Sequence, residues 1–388
     1  MPSTNRICAR SRRPELRLRL SDSAKDKGGY SLTEILSQPD CWKTCLAALS
    51  RSEVLREVEA LARNREEFVF IGCGSSYYVA LAAAASMKSL TGRRACAIPA
   101  SEILLYPELA FSSSSFVPVL ISRSGRTSEV LKAAEILQER AIPSVAISCV
   151  PGQALEALAT LTVVLPADEL STVMTRSFTS MLLALQFLAG RLVGNESCLD
   201  QLMTVPELAA PLFRELPGRI REFVAHRTFA NYVCLGQGPY YGLACEYALK
   251  VTEMSISTAQ VFHSLEFRHG PKSIVTPETL ITFLMSEPGQ EPECDLLEEI
   301  KSLGGTTLVV VNRANDRIRA AADMLVELQL PLAELARLAP TLVPGQLLAL
   351  YTGLKKGLNP DSPRYLSRSV ILGNDTSPIG SSKPEPVA

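Results

Sequence analysis

The sequence predicts an α/β protein made of two similar units, each a three-layer α/β/α sandwich with a doubly wound parallel sheet. Short apolar, β-branched runs alternate with helix-like stretches along most of the 388 residues. Such alternation is typical of strand–helix–strand units with parallel strands. One strand–turn–helix pattern occurs twice, 164 positions apart, and that spacing is the length of one domain.

The strand candidates are apolar runs that end at turn residues. In the first half of the chain they lie at 68–72, 95–98, 117–122, 144–149 and 161–165. In the second half they lie at 231–236, 280–285 and 306–311. Helical patterns fill most of the gaps, at 77–90, 127–138, 177–192, 243–254 and 295–302. Strands joined by crossover helices predict a mainly parallel sheet in each half.

The repeated pattern is a strand that enters Gly-x-Gly and then a helix. Phe70 to Tyr77 reads FIGCGSSY, and Cys234 to Tyr241 reads CLGQGPYY. Neither copy has the third glycine and the following acidic residue of a dinucleotide fingerprint, so a single copy is weak evidence of function. The recurrence is the stronger signal, and it predicts two α/β sandwiches joined near 195–217.

The pattern divides the chain into seven segments. They are a disordered basic arm at 1–29, a helical leader at 30–64, a first unit at 65–195, a linker at 196–216, a second unit at 217–345, a C-terminal segment at 346–372 and a flexible tail at 373–388. The arm lacks the apolar core of a secretion signal. An upstream start codon or an organelle transit peptide is the alternative, although acidic residues in the arm argue against the second. In the leader, Ser31 to Glu34 has capping-box spacing, and Asp40 can cap the next helix.

Composition excludes several classes of protein. The chain is 47% hydrophobic and 20% charged, with a net charge of −1. A nearly neutral chain lacks the basic footprint of a nucleic-acid-binding protein. The ten cysteines form neither CxxC pairs nor a zinc-like spacing, so we expect reduced thiols in a cytoplasmic protein and no metal site. No apolar stretch approaches the length of a membrane span.

A loop rich in hydroxyl groups indicates an anion site. Ser122 to Thr127 reads SRSGRT and lies between a strand candidate and a helix candidate. Hydroxyls donate, the glycine allows close approach of the backbone, and the first N–H groups of the helix point at the ligand. Phosphate is the natural occupant. The alternative is a Ser/Thr-capped helix without a ligand.

One helix candidate carries three charged side chains on one face. Glu246, Lys250 and Glu253 stand at i, i+4 and i+7, so they point the same way. A solvated surface pair is the ordinary explanation. Two features favour a functional one: the rest of the helix is unusually apolar, and the helix follows the second Gly-x-Gly, where α/β proteins collect ligands. A glutamate whose pKa is adjusted by burial and by Lys250 can move a proton between neighbouring carbons.

The sequence has three histidines, His226, His263 and His269. His269 lies in Arg-His-Gly-Pro, where glycine and proline fix a turn. A loop histidine held by rigid neighbours is a better catalytic candidate than one on a helix face, and imidazole shuttles protons near neutral pH. His263 is the fallback, and we expect His226 to be structural.

With these motifs the chain resembles the sugar isomerase (SIS) domain proteins that have two tandem, flavodoxin-like domains. It is most similar to the tagatose-6-phosphate ketose/aldose isomerase and aminosugar-6-phosphate deaminase group. It is more distantly similar to the isomerase half of glutamine–fructose-6-phosphate aminotransferase. The resemblance runs from about residue 30 to 372. The segments that carry it are Gly72–Tyr77, Ser122–Thr127, Met174–Thr179, Glu246–Glu253, Glu266–Lys272 and Asp361–Arg364.

The resemblance implies a role for each matching residue. The residues that would bind the 6-phosphate are Ser76, Ser122, Ser124 and Thr127. Ser75 would contact the sugar, Glu253 would move a proton between C1 and C2, and His269 would open the ring. In the aminotransferase relatives this histidine reaches the site from a neighbouring subunit, which implies a homodimer or a higher oligomer.

Three further residues are candidates for substrate binding. Arg123 makes the phosphate loop more cationic than in the aminotransferase relatives, and Lys250 adjoins the expected base. Arg368 stands where those relatives have a lysine that forms a Schiff base with the ketose. Arginine stays protonated and cannot form an imine; it would bind a hydroxyl or phosphate, or pair with an acid. Pro2 also replaces the nucleophilic cysteine of a glutaminase domain. Both departures favour isomerase or deaminase chemistry over glutamine-dependent synthesis.

The sequence therefore predicts an enzyme that converts galactosamine 6-phosphate or glucosamine 6-phosphate to a ketose 6-phosphate and ammonia, without a metal or organic cofactor. One alternative is a sugar-phosphate sensor that does not turn its ligand over. Another is a deglycase that acts on a fructosamine phosphate with the same base.

Overall fold

The structure, a computed structural model, describes residues 27–110 and 115–372. The basic arm and the flexible tail predicted at the two ends lie almost wholly outside these residues. The leader forms three helices, α1 (Gly29–Leu36), α2 (Gln38–Ser50) and α3 (Glu53–Ala62).

The capping predicted for the leader is wrong. The first helix begins after Gly28, whose φ is +77°, so Ser31 and Glu34 lie inside the helix. Ser37 occupies the N-cap position of the second helix without a side-chain capping hydrogen bond, and Asp40 lies in the first turn. Glu34 is buried and accepts hydrogen bonds from the backbone N–H groups of Leu170 and Ser171. This carboxylate therefore joins the leader to the first unit.

The first unit contains a sheet of five parallel strands. The strands are β1 (Glu67–Gly72), β2 (Arg94–Pro99), β3 (Phe116–Ile121), β4 (Val145–Ser148) and β5 (Leu161–Val164), in the spatial order β2-β1-β3-β4-β5. The connecting helices are α4 (Ser75–Thr91), α5 (Ala100–Leu105), α6 (Pro107–Ala110), α7 (Ser128–Glu139) and α8 (Ala154–Leu158). All of β3 is buried, as the continuous apolar run of a central parallel strand predicts.

Two long helices follow this sheet, α9 (Arg176–Leu192) and α10 (Glu196–Ala225). The segment expected to be a linker, 196–216, is thus part of a 30-residue helix. Pro206, Pro211 and Pro217 lie inside this helix, and prolines there normally indicate a break. Its apolar side packs against α2, α9 and a helix near the C-terminus, so tertiary contacts hold the helix together.

The second unit repeats the architecture of the first. Its strands are β6 (Asn231–Gly236), β7 (Ala259–His263), β8 (Thr279–Leu284), β9 (Thr306–Val311) and β10 (Met324–Glu327), all parallel, in the order β10-β9-β8-β6-β7. Its helices are α11 (Pro239–Ser255), α12 (Gln290–Ser302) and α13 (Asp316–Ala321), followed by α14 (Leu338–Thr341) and α15 (Val343–Lys355). The predicted pair of doubly wound α/β units is confirmed.

The two units meet through α4 and α11, which run antiparallel. A Cβ added to Gly242 would lie 2.6 Å from the backbone nitrogen of Ala82, so glycine permits this close approach. One end of the contact brings Ser75 to Glu246. Because each helix starts at the carboxyl edge of its own sheet, the two carboxyl edges lie at opposite ends of the α4–α11 pair. No helix in the described residues is both long and apolar enough to cross a membrane.

Candidate active site

Two loops of the first unit lie side by side at the carboxyl edge of its sheet. One follows β1 and leads to Ser75 and Ser76, and the other follows β3 and begins at Ser122. The strands β1 and β3 are neighbours, and the strand order reverses between them. Ligands of open α/β sheets bind at such a reversal. The fold therefore brings the predicted phosphate-binding hydroxyls together.

The loop after β3 has the geometry of a compact cradle. The hydroxyl groups of Ser122 and Thr127 lie 3.3 Å apart, and Ser122 is buried. Ser124 accepts the backbone N–H of Arg126 at 3.2 Å. Gly125 has φ +63°, and a Cβ added there would lie 2.8 Å from the Cβ of Gln153. This turn therefore requires glycine both for its backbone and for its packing.

The C-terminal segment covers the start of α7. Val370 accepts the backbone N–H of Ser128 at 3.1 Å, and the hydroxyl of Ser128 accepts the N–H of Leu372 at 2.8 Å. The first N–H group of this helix, which the sequence assigned to the ligand, is therefore already used. The remaining candidates for the anion are the hydroxyl groups and the N–H groups of the loop.

Arg123 does not belong with the predicted phosphate ligands. Its guanidinium is buried, forms an ion pair of 3.1 Å with Glu169 and donates to the carbonyl groups of Thr172, Val173 and Arg368. These contacts occupy both terminal nitrogens. Arg123 therefore fixes the C-terminal segment to the first unit, which corrects the role predicted from the sequence.

Arg368 pairs with an acid, one of the roles that the sequence left open. Its Nη2 lies 2.6 Å from the carboxylate of Asp168, and both side chains are about half exposed. Its carbonyl accepts the hydrogen bond from Arg123. The residue that replaces the Schiff-base lysine thus lies beside the phosphate loop without an amine to react.

The charged face of α11 is buried between the two units. Lys250 and Glu246 are both 0% exposed and form an ion pair of 3.2 Å. Lys250 also lies 2.5 Å from the carboxylate of Glu253, which is 17% exposed. From the first unit, the hydroxyl of Ser75 donates to Glu246 at 3.1 Å and accepts from Lys250 at 3.3 Å. The solvated surface pair that the sequence allowed is excluded.

Burial and the neighbouring charges shift the pKa values of Glu246 and Lys250. Desolvation raises the pKa of Glu246 to about 7, although Lys250 acts against it. Desolvation also lowers the pKa of Lys250, but the carboxylates of Glu246 and Glu253 outweigh it, and the net shift is upward. Lys250 is therefore an ammonium ion that holds Glu253 in place. Glu246 is not among the predicted site residues, although the sequence places it on the same helix face as Lys250 and Glu253.

In the described part of the chain, none of the three histidines forms a hydrogen bond or ion pair with Glu246, Lys250 or Glu253. His269 follows a single 3₁₀ turn, Leu265–Arg268, and its exposed imidazole has no hydrogen-bond partner in the described residues. The ring of His263 stacks on that of Tyr241, with centroids 3.8 Å apart. His226 caps the end of α10. Among the described residues, no hydrogen bond or ion pair joins His269, the predicted ring-opening histidine, to Glu253.

No group of three or more His, Cys, Asp or Glu side chains in residues 27–110 and 115–372 could hold a metal ion. The candidate site instead consists of hydroxyl groups on one side and a carboxylate–ammonium–carboxylate row on the other. Such a site can hold a phosphorylated polyol and transfer a proton.

Comparison with known proteins identifies both units. The model of the SIS domain family matches residues 61–191 and 231–350. Among curated proteins, the glutamine–fructose-6-phosphate aminotransferase [isomerizing] of Pyrobaculum aerophilum is 29% identical over 362 residues, which cover 89% of this chain and 58% of that protein. The corresponding protein of Bacteroides thetaiotaomicron is 28% identical over 378 residues. The chain thus spans less than two thirds of the curated relatives it matches.

Solved structures of similar length also match. Glucosamine-6-phosphate deaminase from Thermotoga maritima aligns with a TM-score of 0.73 and 28% identity, over 88% of this chain and 100% of that one. Tagatose-6-phosphate ketose/aldose isomerase from Escherichia coli aligns with a TM-score of 0.79 and 23% identity, over 91% of this chain and 98% of that one. Because the identity to the Escherichia coli structure is only 23%, that match shows a shared fold and nothing more.

Proposed function

The chain belongs to the SIS domain family, and on that premise we propose that it is an aminosugar-6-phosphate deaminase with ketose/aldose isomerase activity. The observation that carries the proposal is the buried row Glu246–Lys250–Glu253, joined to the phosphate-loop unit through Ser75. A base and an anion cradle thereby share one site. The substrates we propose are glucosamine 6-phosphate and galactosamine 6-phosphate.

The phosphate end of the sugar would be held by hydroxyl groups. Ser76 and Ser122 are buried at the edge of the sheet, and Thr127 lies 3.3 Å from Ser122. Ser124 completes the set. Several neutral donors stabilise a dianion without an arginine, which is consistent with Arg123 being used elsewhere. Ser75 would contact the sugar between the phosphate and α11.

Glu253 would act as the base. It is the more exposed carboxylate of the row, whereas Glu246 is fully buried. Glu253 would take the proton from C2 of the open-chain aldose and return it to C1, on one face of the substrate. Lys250 would hold this carboxylate in place through their ion pair, and Glu246 would balance the buried ammonium.

With a 2-amino sugar, the same proton transfer leads to deamination. Removal of the C2 proton gives an enolamine, and protonation at C1 gives an imine at C2. Water adds to this imine, the C2–N bond breaks, and ammonia leaves with a proton while C2 becomes a ketone. The products are a ketose 6-phosphate and ammonia, and no redox partner is required.

Ring opening is assigned to His269 of a neighbouring subunit. The imidazole is exposed and has no hydrogen-bond partner among residues 27–110 and 115–372, which supports this assignment. The active form would then be at least a homodimer. Arg368 cannot form an imine with the ketose, which supports deamination over glutamine-dependent amination.

A panel of substrates tests the function. Ammonia and ketose phosphate are measured with glucosamine 6-phosphate, galactosamine 6-phosphate, tagatose 6-phosphate and a fructosamine phosphate. We expect ammonia from at least one hexosamine 6-phosphate. Turnover of the fructosamine phosphate alone would identify a deglycase. Saturable binding of all four without turnover would show that the protein is a sensor.

A further inference from the structure

The second unit has a cavity at the carboxyl edge of its own sheet. Its volume is about 320 Å³, and its walls come from the loops after β8 and β9, the start of α11 and the 3₁₀ turn Glu334–Arg337. The side chains that matter are those of Tyr240, Ser286, Glu287, Asn312, Arg313 and Arg337. This position corresponds to that of the phosphate loop in the first unit, because β8 occupies the same place in its sheet as β3.

This cavity is separate from the candidate active site. Tyr240 stands at the start of α11, and Lys250 stands ten residues later, which is roughly 15 Å along a helix. The carboxyl edges of the two sheets lie at opposite ends of the α4–α11 pair. A ligand in this cavity would therefore not contact Glu253 or the loop Ser122–Thr127.

The loop after β8 is not a second phosphate cradle. Glu293, which is buried in α12, accepts the backbone N–H of Ser286 at 3.1 Å. A Cβ added to Gly289 would lie 2.8 Å from this carboxylate. The acid therefore occupies the anion position at the start of the helix. An occupant of the cavity must bind beside the loop, to other groups.

The cavity is also lined by two arginines and a glutamate, Arg313, Arg337 and Glu287. Arg337 is 3% exposed and pairs with Glu287, and its Nε has no hydrogen-bond partner in the described part of the chain. Glu287 is 57% exposed, so its second oxygen is accessible. The guanidinium of Arg313 makes no hydrogen bond or ion pair with any described residue, while the backbone carbonyl of Arg313 accepts from Gln290.

Each of these groups selects a different part of a ligand. An unpaired guanidinium at the mouth of a cavity binds a phosphate or a carboxylate. An accessible carboxylate beside it binds an ammonium group. Tyr240 and Met285 also line the cavity, and their apolar surfaces would contact the carbon skeleton of a ligand. The volume of the cavity suits a metabolite rather than a polymer.

We propose that this cavity is a second ligand site, for a small zwitterionic metabolite whose anionic group binds Arg313 and whose ammonium group binds Glu287. Two sources share this chemistry, an α-amino acid and a hexosamine phosphate. The site does not depend on the reaction proposed at Glu253.

Calorimetric binding to the full chain tests the proposal, with glutamine, glucosamine 6-phosphate, fructose 6-phosphate, glucosamine and inorganic phosphate as probes. In Ser122→Ala/Thr127→Ala protein, which lacks two hydroxyls of the first site, we expect a zwitterion to bind with one site per chain. If glutamine binds, the ligand of the cavity is an α-amino acid. If glucosamine 6-phosphate binds, the ligand is a hexosamine phosphate. Glucosamine and fructose 6-phosphate, each with one of the two charges, should bind at least about tenfold more weakly.

Arg313→Ala should weaken the binding of the zwitterion about 10- to 100-fold, because a charge-assisted hydrogen bond to its anionic group is lost. Arg319→Ala is the matched control, since it removes the same charge from an arginine that pairs with Glu327 outside the cavity. The proposal is overturned if Arg313→Ala binds the zwitterion as wild type does, if fructose 6-phosphate binds as tightly as the zwitterion, or if no probe binds at millimolar concentration.

Discussion

The hydroxyl of Ser75 donates a hydrogen bond of 3.1 Å to the buried carboxylate of Glu246. Ser75 is the first residue of α4 in one unit, and Glu246 lies in α11 of the other. The same hydroxyl accepts from Lys250 at 3.3 Å. The buried ion row is therefore completed only when the two units dock, and a polar network of this kind specifies one docked arrangement.

Ser75→Ala is expected to lower the free energy of unfolding by about 1–3 kcal/mol, because Glu246 loses a buried donor. Urea unfolding measures this change. Ser86→Ala is the control on the same helix, since among the described residues that buried hydroxyl bonds only to the carbonyl of Ala82, one turn earlier. Equal losses in the two variants would mean that the contact between the units contributes nothing specific.

Gly125→Ala is expected to weaken binding of fructose 6-phosphate at least about tenfold, which is a change of 1.4 kcal/mol. The added Cβ would strain a backbone with φ +63° and collide with Gln153. Gly152→Ala is the matched control, because its φ is +72° but its Cβ would point into open space. Calorimetry measures both affinities. Unchanged affinity in Gly125→Ala would remove this loop from the phosphate site.

Stability should depend on pH through Glu246. Burial raises its pKa from the ordinary 4.5 to about 7, so the folded protein binds the proton more tightly than the unfolded chain does. The contribution to stability is full below pH 4.5 and is lost as the pH rises through 7, by at most about 3 kcal/mol. Glu246→Gln should flatten the profile by that amount between about pH 5 and 7.

Urea unfolding at several pH values measures this profile. Some dependence should remain in Glu246→Gln, because burial also raises the pKa of Glu34 and of Glu293 to about 7. A profile identical to that of the wild type would show that Glu246 is ionised over the whole range.

Arg123→Met is expected to release the C-terminal segment and to destabilise the protein by about 3 kcal/mol, because the buried carboxylate of Glu169 would keep its hydrogen bonds from Thr175 and Ser177 but lose its counter-charge. Hydrogen exchange of residues 366–372 measures the release, and urea unfolding measures the stability. Arg368→Ala, which removes only an exposed pair with Asp168, should change the free energy of unfolding by less than about 1 kcal/mol. If Arg123→Met instead raised only KM, Arg123 would be a substrate ligand after all.

The strands could be predicted from the sequence because central parallel strands are continuous apolar runs. All eight predicted strands are present, within one or two residues of their expected ends. The two that the sequence did not indicate, β7 and β10, lie at the edges of the second sheet. Each has one neighbour and mixed polarity, so its residues lack the apolar signature. The longest helix, α10, was also not predicted, because the three prolines inside it normally indicate a break.

The site was predictable where it depends on local spacing. The positions of Glu246, Lys250 and Glu253 on one helix face follow from 3.6 residues per turn. Their burial does not, because it depends on how α4 docks at Gly242. The role of Arg123 could not be predicted from the sequence either, since its partners are 46 to 245 residues away along the chain.

The most direct test of the central claim is the release of ammonia from hexosamine 6-phosphates by wild-type protein and by Glu253→Gln. The wild type should form ammonia and ketose 6-phosphate in equal amounts. Glu253→Gln should lose about 10²- to 10⁴-fold in kcat, because the base that moves the C2 proton is gone. Glu278→Gln, which changes an exposed glutamate outside the site, should keep full activity. Full activity in Glu253→Gln would contradict the account.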